Sequence, residues 1–388
     1  SAYQIEGDIT NDWSEWEHSP NRLAYLKRKG LNPHDFICGK ACGSYRYFNR
    51  DLACLKELGV NAYRFSIEWA RIEPQPGKYS LTGIKYYQQI IKQLQVAEIE
   101  PLVTLWHWTN PLWVAKKGGW TNPETVSRFL DYVKFVIAKL GGGVNWWCVL
   151  NEPMIHIFNG YLRGEFPPQK KSPLLAKKVY SNLVAAYCQA YDLIHQYCPR
   201  AKVGISQISN YFEPTHHWCP IERGVARLAQ YFWNEKFLLS IQDKMDYLGM
   251  SYYFHDRLAC LPPFKRNQNK ETSDMGWEIY PEGIYWVTKR YSQIFHKPIL
   301  ILENGLADAQ DKKRVQFIRQ HLKFIHRAIQ EGVQIKGYFH WSLIDNFEWA
   351  HGWEPKFGLY QVDRQTFHRI AHPSAHFYAQ ICRTNCLF

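Results

Sequence analysis

The sequence predicts the α/β class: a single (β/α)8 TIM-type barrel domain spanning residues 1–388. Three observations predict it. From residue 60 onward, short strand-like apolar runs alternate with long amphipathic helices, and repeated βα units imply parallel strands joined by right-handed crossovers. Polar and aromatic residues recur where those strands should end, the rim at which a barrel keeps its chemistry. The clearest such strand end is Ile301-Leu302-Glu303-Asn304-Gly305, an apolar run opened by Pro298 and closed by a carboxylate and a turn-forming Asn-Gly. A continuous apolar run is the signature of a parallel strand buried on both faces. Taken alone, Glu303 reads equally well as a solvated strand end. The length exceeds that of an ordinary domain, but barrels do so as one unit, and the chain shows no interdomain linker or low-complexity segment.

The elements follow in order. Residues 44–59 read as a helix stopped by Gly59, because glycine takes the left-handed cap at no cost. Residues 60–67 read as a strand. Residues 82–97 read as a helix, with Ile84, Tyr87, Ile91 and Leu94 on one face. Strands are then expected over 100–106, 144–151, 202–207, 246–252, 297–303 and 333–342, alternating with helices over 123–140, 177–197, 224–241, 281–295 and 311–331. A last helix covers 373–381. That makes seven strands, and Ser1-Ala2-Tyr3-Gln4-Ile5 reads as the tail of an eighth, strand one, truncated at the N-terminus. Residues 8–43 and 260–277 read as long loops, which on a barrel usually build the site.

Composition narrows the function. The net charge is +12, but the lysines and arginines are spread along the chain, so no nucleic-acid partner is expected. No apolar run reaches membrane-span length and no secretory signal is visible. The ten cysteines are scattered; Cys38/Cys42 and Cys382/Cys386 lack a zinc partner set. Free thiols in a reducing, cytoplasmic compartment are expected, with no metal and no cofactor. Sixteen Trp and 25 Tyr, several beside polar residues as in Trp106-His107-Trp108, suit stacking on sugar faces as well as packing of a large core.

The strand ends carry Arg64, His107-Trp108, Asn151-Glu152, Tyr252-Tyr253, Glu303 and Trp341. Each alone has a bland reading: His107 as a core histidine, Glu152 as a capping carboxylate, Arg64 as a structural ion-pair partner. Together at one rim they point elsewhere. Glu152 and Glu303 would end strands four and seven of eight and face each other across the mouth. Two facing carboxylates with amide and aromatic neighbours suit glycosidic bond cleavage. Arg64 and the Tyr253 hydroxyl near Glu303 would keep it ionised, and its charge would keep Glu152 protonated.

These motifs resemble glycoside hydrolase family 1, the β-glucosidase/β-galactosidase family, along nearly the whole chain. The resemblance rests on Ser1-Ala2-Tyr3-Gln4-Ile5-Glu6-Gly7, on residues 63–74 and 103–108, on Asn151-Glu152-Pro153 and Glu303-Asn304-Gly305, on residues 341–349, and on Phe357-Gly358-Leu359. It implies a retaining mechanism on β-glycosides, with Glu303 as nucleophile, Glu152 as acid/base and Asn151 reading the sugar 2-hydroxyl. Gln4, His107, Trp108, Glu348 and Trp349 match positions that hold the terminal sugar's hydroxyls. Trp341 matches the stacking platform, Phe357 a hydrophobic wall, and Arg64 with Tyr253 the pair that orients the nucleophile. Glu348-Trp349 favours a non-phosphorylated sugar, and an intact Glu152 favours O-glycosides; glucose, galactose and fucose stay open. Trp113, Trp218 and Trp277 are candidates for the leaving-group side. The chain departs from the family at Ser251, where Asn is usual, in its short length, and in its basic charge. A β-glycoside or oligosaccharide substrate is therefore expected; the sequence leaves the oligomeric state open. A catalytically impaired glycan-binding protein and a transglycosylating enzyme are the alternatives.

Overall fold

The computed structural model describes residues 1–387. Among them, seven parallel strands form one sheet in sequence order: β1 (Ala62–Ser66), β2 (Glu100–Trp106), β3 (Trp146–Asn151), β4 (Lys202–Pro214), β5 (Tyr247–Leu258), β6 (Ile299–Asn304) and β7 (Ile335–His340). The sheet curls into a nearly closed (β/α)8-type barrel. Among the described residues β1 and β7 do not pair. A cavity of ≈ 580 Å³ follows this seam, lined by Leu55, Leu58 and Phe65 near β1 and by Phe339 and Leu343 from β7 onward.

The reading of Ser1–Ile5 as the tail of a strand is corrected. Residues Ala2–Glu6 are helical. Tertiary contacts decide this, since five residues are too short for periodicity to speak. Arg71 Nε donates to Glu6 Oε2 at 2.8 Å and the Tyr87 hydroxyl to Glu6 Oε1 at 2.8 Å. The Ala2 amide donates to Ser66 Oγ at the end of β1. The short helix thus sits at the rim, beside β1, instead of extending the sheet.

Side chains that alternate along the strands fill two regions. Inside the barrel, Leu102, Cys148, Tyr247, Leu300 and Leu302 form a small cluster from four strands. Outside it, Val103, Leu105, Trp147, Val149 and Ile301 join the large core under the helices. Full burial of each such side chain contributes about 1.5–3 kcal/mol. Helix Ser44–Leu58 ends at Gly59, whose φ of 70° is the left-handed cap expected from the sequence. Helix Leu81–Val96 buries Ile84, Tyr87, Ile91 and Leu94, and helix Pro173–Tyr197 buries Val179, Leu183, Ala186, Ala190 and Ile194. In helix Arg314–Gln330, Phe317, Ile318, His321 and Ile325 are buried, while Ile329 is 44% exposed.

Two differences matter for the site. β4 and β5 run beyond the barrel and pair with each other from Tyr211↔His255 to Pro214↔Leu258. The segment 8–43, expected to be a loop, carries helices Asp12–Glu17 and Pro20–Arg28. Trp13 of the first packs 4.6 Å from the Trp349 ring and 4.9 Å from Phe166. A wall of aromatic rings therefore backs one side of the rim.

Candidate active site

The barrel interior puts Arg64 of β1 at the centre of the polar cluster. Its Nε donates to Thr104 Oγ1 at 3.1 Å, its Nη1 to Glu303 Oε1 at 2.5 Å, and its Nη2 to Asn151 Oδ1. One planar guanidinium thus fixes β2, β3 and β6 relative to each other, a geometry an ammonium cannot reproduce. Burial opposes the charge of Arg64, but the Glu303 carboxylate outweighs it and leaves the guanidinium more basic than usual.

Glu303 lies on β6 and is 4% exposed. Its second oxygen, Oε2, accepts from the Tyr253 hydroxyl at 2.7 Å. Both carboxylate oxygens therefore have a donor, one of them a cation. Burial and the Glu303 charge push the Tyr253 phenol well above its usual range, so it stays a donor. The strand end is clamped from both neighbours: Asn304 Nδ2 donates to the Tyr252 carbonyl at 2.6 Å, and the Tyr338 hydroxyl to Asn304 Oδ1 at 2.9 Å. Gly305 lets the chain turn past Trp341, whose carbonyl oxygen a Cβ at 305 would strike.

Glu152 follows β3 with a positive φ of 40°. Its amide donates to the Ser206 carbonyl at 2.7 Å, which turns the side chain inward. Glu152 is 4% exposed, and its Oε1 has no hydrogen-bond partner among the described residues. Burial first, and then the negative charge of Glu303, hold its carboxyl well above the ordinary carboxylate range; the Ser251 hydroxyl and Arg64 pull the other way. Ser251 Oγ also lies 3.1 Å from Ser206 Oγ. At the position where the resemblance leads one to expect Asn, the Ser251 hydroxyl is thus one of the groups that favour the charged form of Glu152.

The sugar-facing candidates gather around this pair. The cationic Arg64 selects the oxygen of the Asn151 amide, so its Nδ2 faces His107 Nε2 at 3.0 Å. That makes Nε2 the acceptor and leaves the proton on Nδ1. Burial keeps His107 neutral by lowering its pKa well below the usual value. His107 stacks on Trp349 with ring centroids 5.7 Å apart, and lies 6.4 Å from the half-buried Trp341. Glu348 Oε2 is buried with no partner among the described residues, and burial together with the Glu303 charge pushes its pKa up to about 8. Phe357 packs 6.1 Å from the Tyr253 ring.

Two candidates are committed elsewhere. Trp108 Nε1 donates to the Asn151 carbonyl at 2.9 Å, so its indole supports Asn151. Gln4 uses its Nε2 on Asn346 Oδ1 at 3.0 Å and on the Phe347 carbonyl at 2.8 Å; it anchors the loop that carries Glu348.

This is a pair of buried carboxylates, one fixed by two donors and one bare, set among rings and amides. The family model described as Glycosyl hydrolase family 1 matches residues 1–247 and 227–387. The chain belongs to glycosyl hydrolase family 1. It is 32% identical to "Beta-glucosidase A" of Thermotoga maritima, with 100% of this chain and 96% of that protein covered. It is 28% identical to a "Beta-galactosidase" of Pyrococcus woesei, covering 94% of this chain and 89% of that protein. The solved beta-glucosidase from Thermotoga maritima in complex with glucoimidazole superposes with a TM-score of 0.93 at 30% identity, over 100% of this chain and 97% of that one. The same enzyme in complex with galacto-hydroximolactam gives 0.91 at 30% identity, over 100% and 97%. The alignment with the first relative runs over 438 positions, more than this chain holds, so that relative carries internal segments absent here.

Membership in family 1 makes the protein a glycoside hydrolase, and the three leaving-group candidates can be sorted by position. Trp277 lies 5.9 Å from the Tyr253 ring and 6.2 Å from Phe357, beside the carboxylates. Trp113 instead packs on Trp69 and donates to the Glu73 carbonyl at 3.0 Å. Trp218 is 79% exposed and neighbours His216. Sequence reasoning gave no role to Thr104 and Ser206. Small hydroxyl residues on strands give no periodic or compositional signal; only their partners reveal them.

Proposed function

We propose that this chain is a retaining, exo-acting β-glycosidase that releases terminal, non-phosphorylated β-D-glucose, and β-D-galactose or fucose, from O-glycosides by double displacement. The observation that carries it is the asymmetry of the two carboxylates. Glu303, held on both oxygens by Arg64 and Tyr253, is oriented to attack the anomeric carbon. Glu152, kept protonated by burial and by Glu303, gives its proton to the leaving oxygen. Once Glu303 carries the sugar as an ester its charge is gone. Glu152 then ionises and takes the proton from the attacking water.

The remaining groups bind the sugar. Asn151 keeps one amide N–H for the 2-hydroxyl, since the other faces His107. His107 offers Nδ1–H, and Glu348, raised to about 8, can both donate to and accept from neighbouring hydroxyls. A group with both capacities supports tolerance of gluco and galacto configurations. Trp341 and Trp349 provide apolar faces, and Trp277 lies toward the leaving group. The printed activities of the relatives, glucosidase and galactosidase, support this substrate class. All ten cysteines are free, which supports a reducing, cytoplasmic setting, and no helix among the described residues is long and apolar enough to cross a membrane.

A panel of aryl β-glycosides tests activity and sugar choice together. The wild type should turn over the glucoside and the galactoside, and Glu303→Gly should lose activity by ~10⁴-fold or more. Azide should restore turnover of that variant with an inverted glycosyl azide as product. An unaffected Glu303→Gly variant, or a wild type inert on the whole panel, would overturn the proposal.

A further inference from the structure

We infer that Cys219, Glu222 and Cys260 form a zinc site that pins the rim loop after β4 to the rim loop after β5. The Sγ atoms of the two cysteines and a carboxylate oxygen of Glu222 all lie within 4.8 Å of one another. Cys260 Sγ is 4.0 Å from Glu222 Oε1. Around a tetrahedral zinc with bonds of about 2.3 Å to sulfur and about 2.0 Å to oxygen, sulfur–sulfur and sulfur–oxygen separations are roughly 3.5–3.8 Å. A contraction of well under an ångström per ligand therefore closes the site.

The local fold explains why the three side chains meet. Cys219 caps helix Pro220–Ala229, and Glu222 stands in its first turn. That three-residue spacing puts both on one face. Cys260 follows the end of β5, and the prolonged β4–β5 ladder brings it across: Pro214 pairs with Leu258, and the Thr215 amide donates to the Leu258 carbonyl at 2.9 Å. Glu222 is 4% exposed, while both cysteines are half-buried. Metal can reach the thiols, yet the carboxylate is already aimed. His216 holds it, with its amide 2.6 Å from Oε2 and its Nδ1 3.1 Å from Oε2 and 3.3 Å from Oε1. A carboxylate ligand fixed by an outer hydrogen bond is the usual support of a metal site.

Two thiolates and one carboxylate select zinc over magnesium or calcium, which prefer all-oxygen shells. Binding replaces the two S–H protons, which go to solvent, by two Zn–S bonds; the carboxylate adds one Zn–O bond and a water completes the shell. No oxidant or reductant is required. The ligand set escapes sequence inspection because its cysteines stand on different loops, without the close pairing of a zinc ribbon or finger. The consequence for the enzyme is positional. The loop that Cys260 opens leads to Trp277, the aromatic ring beside Tyr253 and Phe357. Fixing its first residue to the β4 side restrains the leaving-group rim without touching the carboxylates.

The experiment uses the full chain, reduced and metal-free, loaded with zinc chloride and passed over a weak chelating resin. Retained zinc is then read with a chromophoric indicator, and cobalt(II) is substituted in parallel. The wild type should keep one zinc per chain and show thiolate-to-cobalt charge transfer. Cys219→Ser and Cys260→Ser should each lose both signals while keeping aryl glucoside turnover, which reports that they fold. His216→Ala should weaken zinc binding by about 10–100-fold. Three results overturn the inference: no zinc retained by the wild type, zinc retained equally by Cys260→Ser, or a wild type in which Cys219 and Cys260 are found joined as a disulfide and bind no metal after reduction.

Discussion

Glu152 and Glu303 are the same residue type at the same rim with the same exposure, 4% each, yet their surroundings are opposite. Glu303 has a donor on each oxygen, one from Arg64 and one from Tyr253. Glu152 has a bare Oε1, and the Ser251 hydroxyl and Arg64 favour its charge without overcoming burial and Glu303. Burial alone would treat the two alike. The donors separate them, and two carboxylates in such different surroundings suit the proposed acid and nucleophile. The lesson is that the proposed roles depend on β1 and β5, which supply the donors, as much as on the strands that carry the carboxylates.

Removing the bare carboxylate is the most direct way to break this comparison. Glu152→Ala should lower kcat/KM by ~10²–10⁴-fold on substrates with poor leaving groups. On a dinitrophenyl glycoside, whose leaving group needs no proton, kcat/KM should change little while kcat falls, because the second step still lacks its base. The pH profile carries the sign. The proposed acid role needs Glu152 protonated in the free enzyme, so kcat/KM of the wild type should fall as pH rises through its pKa. Burial and the Glu303 charge place that limb well above the ordinary carboxylate range. In the variant the basic limb should vanish. Steady-state kinetics with the two leaving groups across pH checks both outcomes; an equal loss on both substrates would remove Glu152 from the acid role.

How much of this was legible in the sequence depended on the signal each residue carries. β2 runs over the predicted residues, Glu100–Trp106, because Pro101 and an uninterrupted apolar run mark a doubly buried strand. The polar extensions of β4 and β5 were not legible: Glu213 and Arg257 pair with each other across the ladder, which a hydropathy pattern cannot show. The helix at Ala2–Glu6 was misread, although Gln4 three residues after Ser1 is a recognised helix-start spacing. At the site, Arg64, Glu152, Tyr253 and Glu303 stood out as polar residues at strand ends, and the barrel brings them together. Trp108 and Gln4 were read as sugar contacts from the family resemblance, and the fold shows their N–H donors directed to the Asn151 carbonyl, Asn346 and the Phe347 carbonyl. Donor commitment is a property of the folded chain.

Weakening the clamp on Glu303 sharpens the comparison from the other side. Tyr253→Phe keeps the ring against Trp277 and Phe357 but removes the donor on Oε2. A hydrogen bond to a charged group contributes about 1.5–3 kcal/mol, so kcat should fall by roughly 10–100-fold with KM little changed. The split between kcat and KM distinguishes loss of orientation from loss of binding; a rise in KM alone would show that the hydroxyl serves the sugar and not Glu303.

The smallest expected effect lies at Ser251, where the two carboxylates are coupled most finely. Its hydroxyl, with Arg64, lowers the Glu152 pKa against burial and against Glu303. Ser251→Ala removes part of that opposition, so Glu152 should become harder to ionise. Two limbs should then move the same way. The basic limb of kcat/KM shifts to higher pH, because the acid form persists longer. The acid limb of kcat on a dinitrophenyl glycoside, where Glu152 must be ionised to act as base, shifts to higher pH as well, and kcat near neutrality drops by less than about tenfold. Ser251→Asn, with two donors in place of one, should move both limbs down. A displacement of only one limb would mean that Ser251 acts through Ser206 and the turn at Glu152 rather than on the Glu152 charge, since a backbone shift has no reason to track the protonation state.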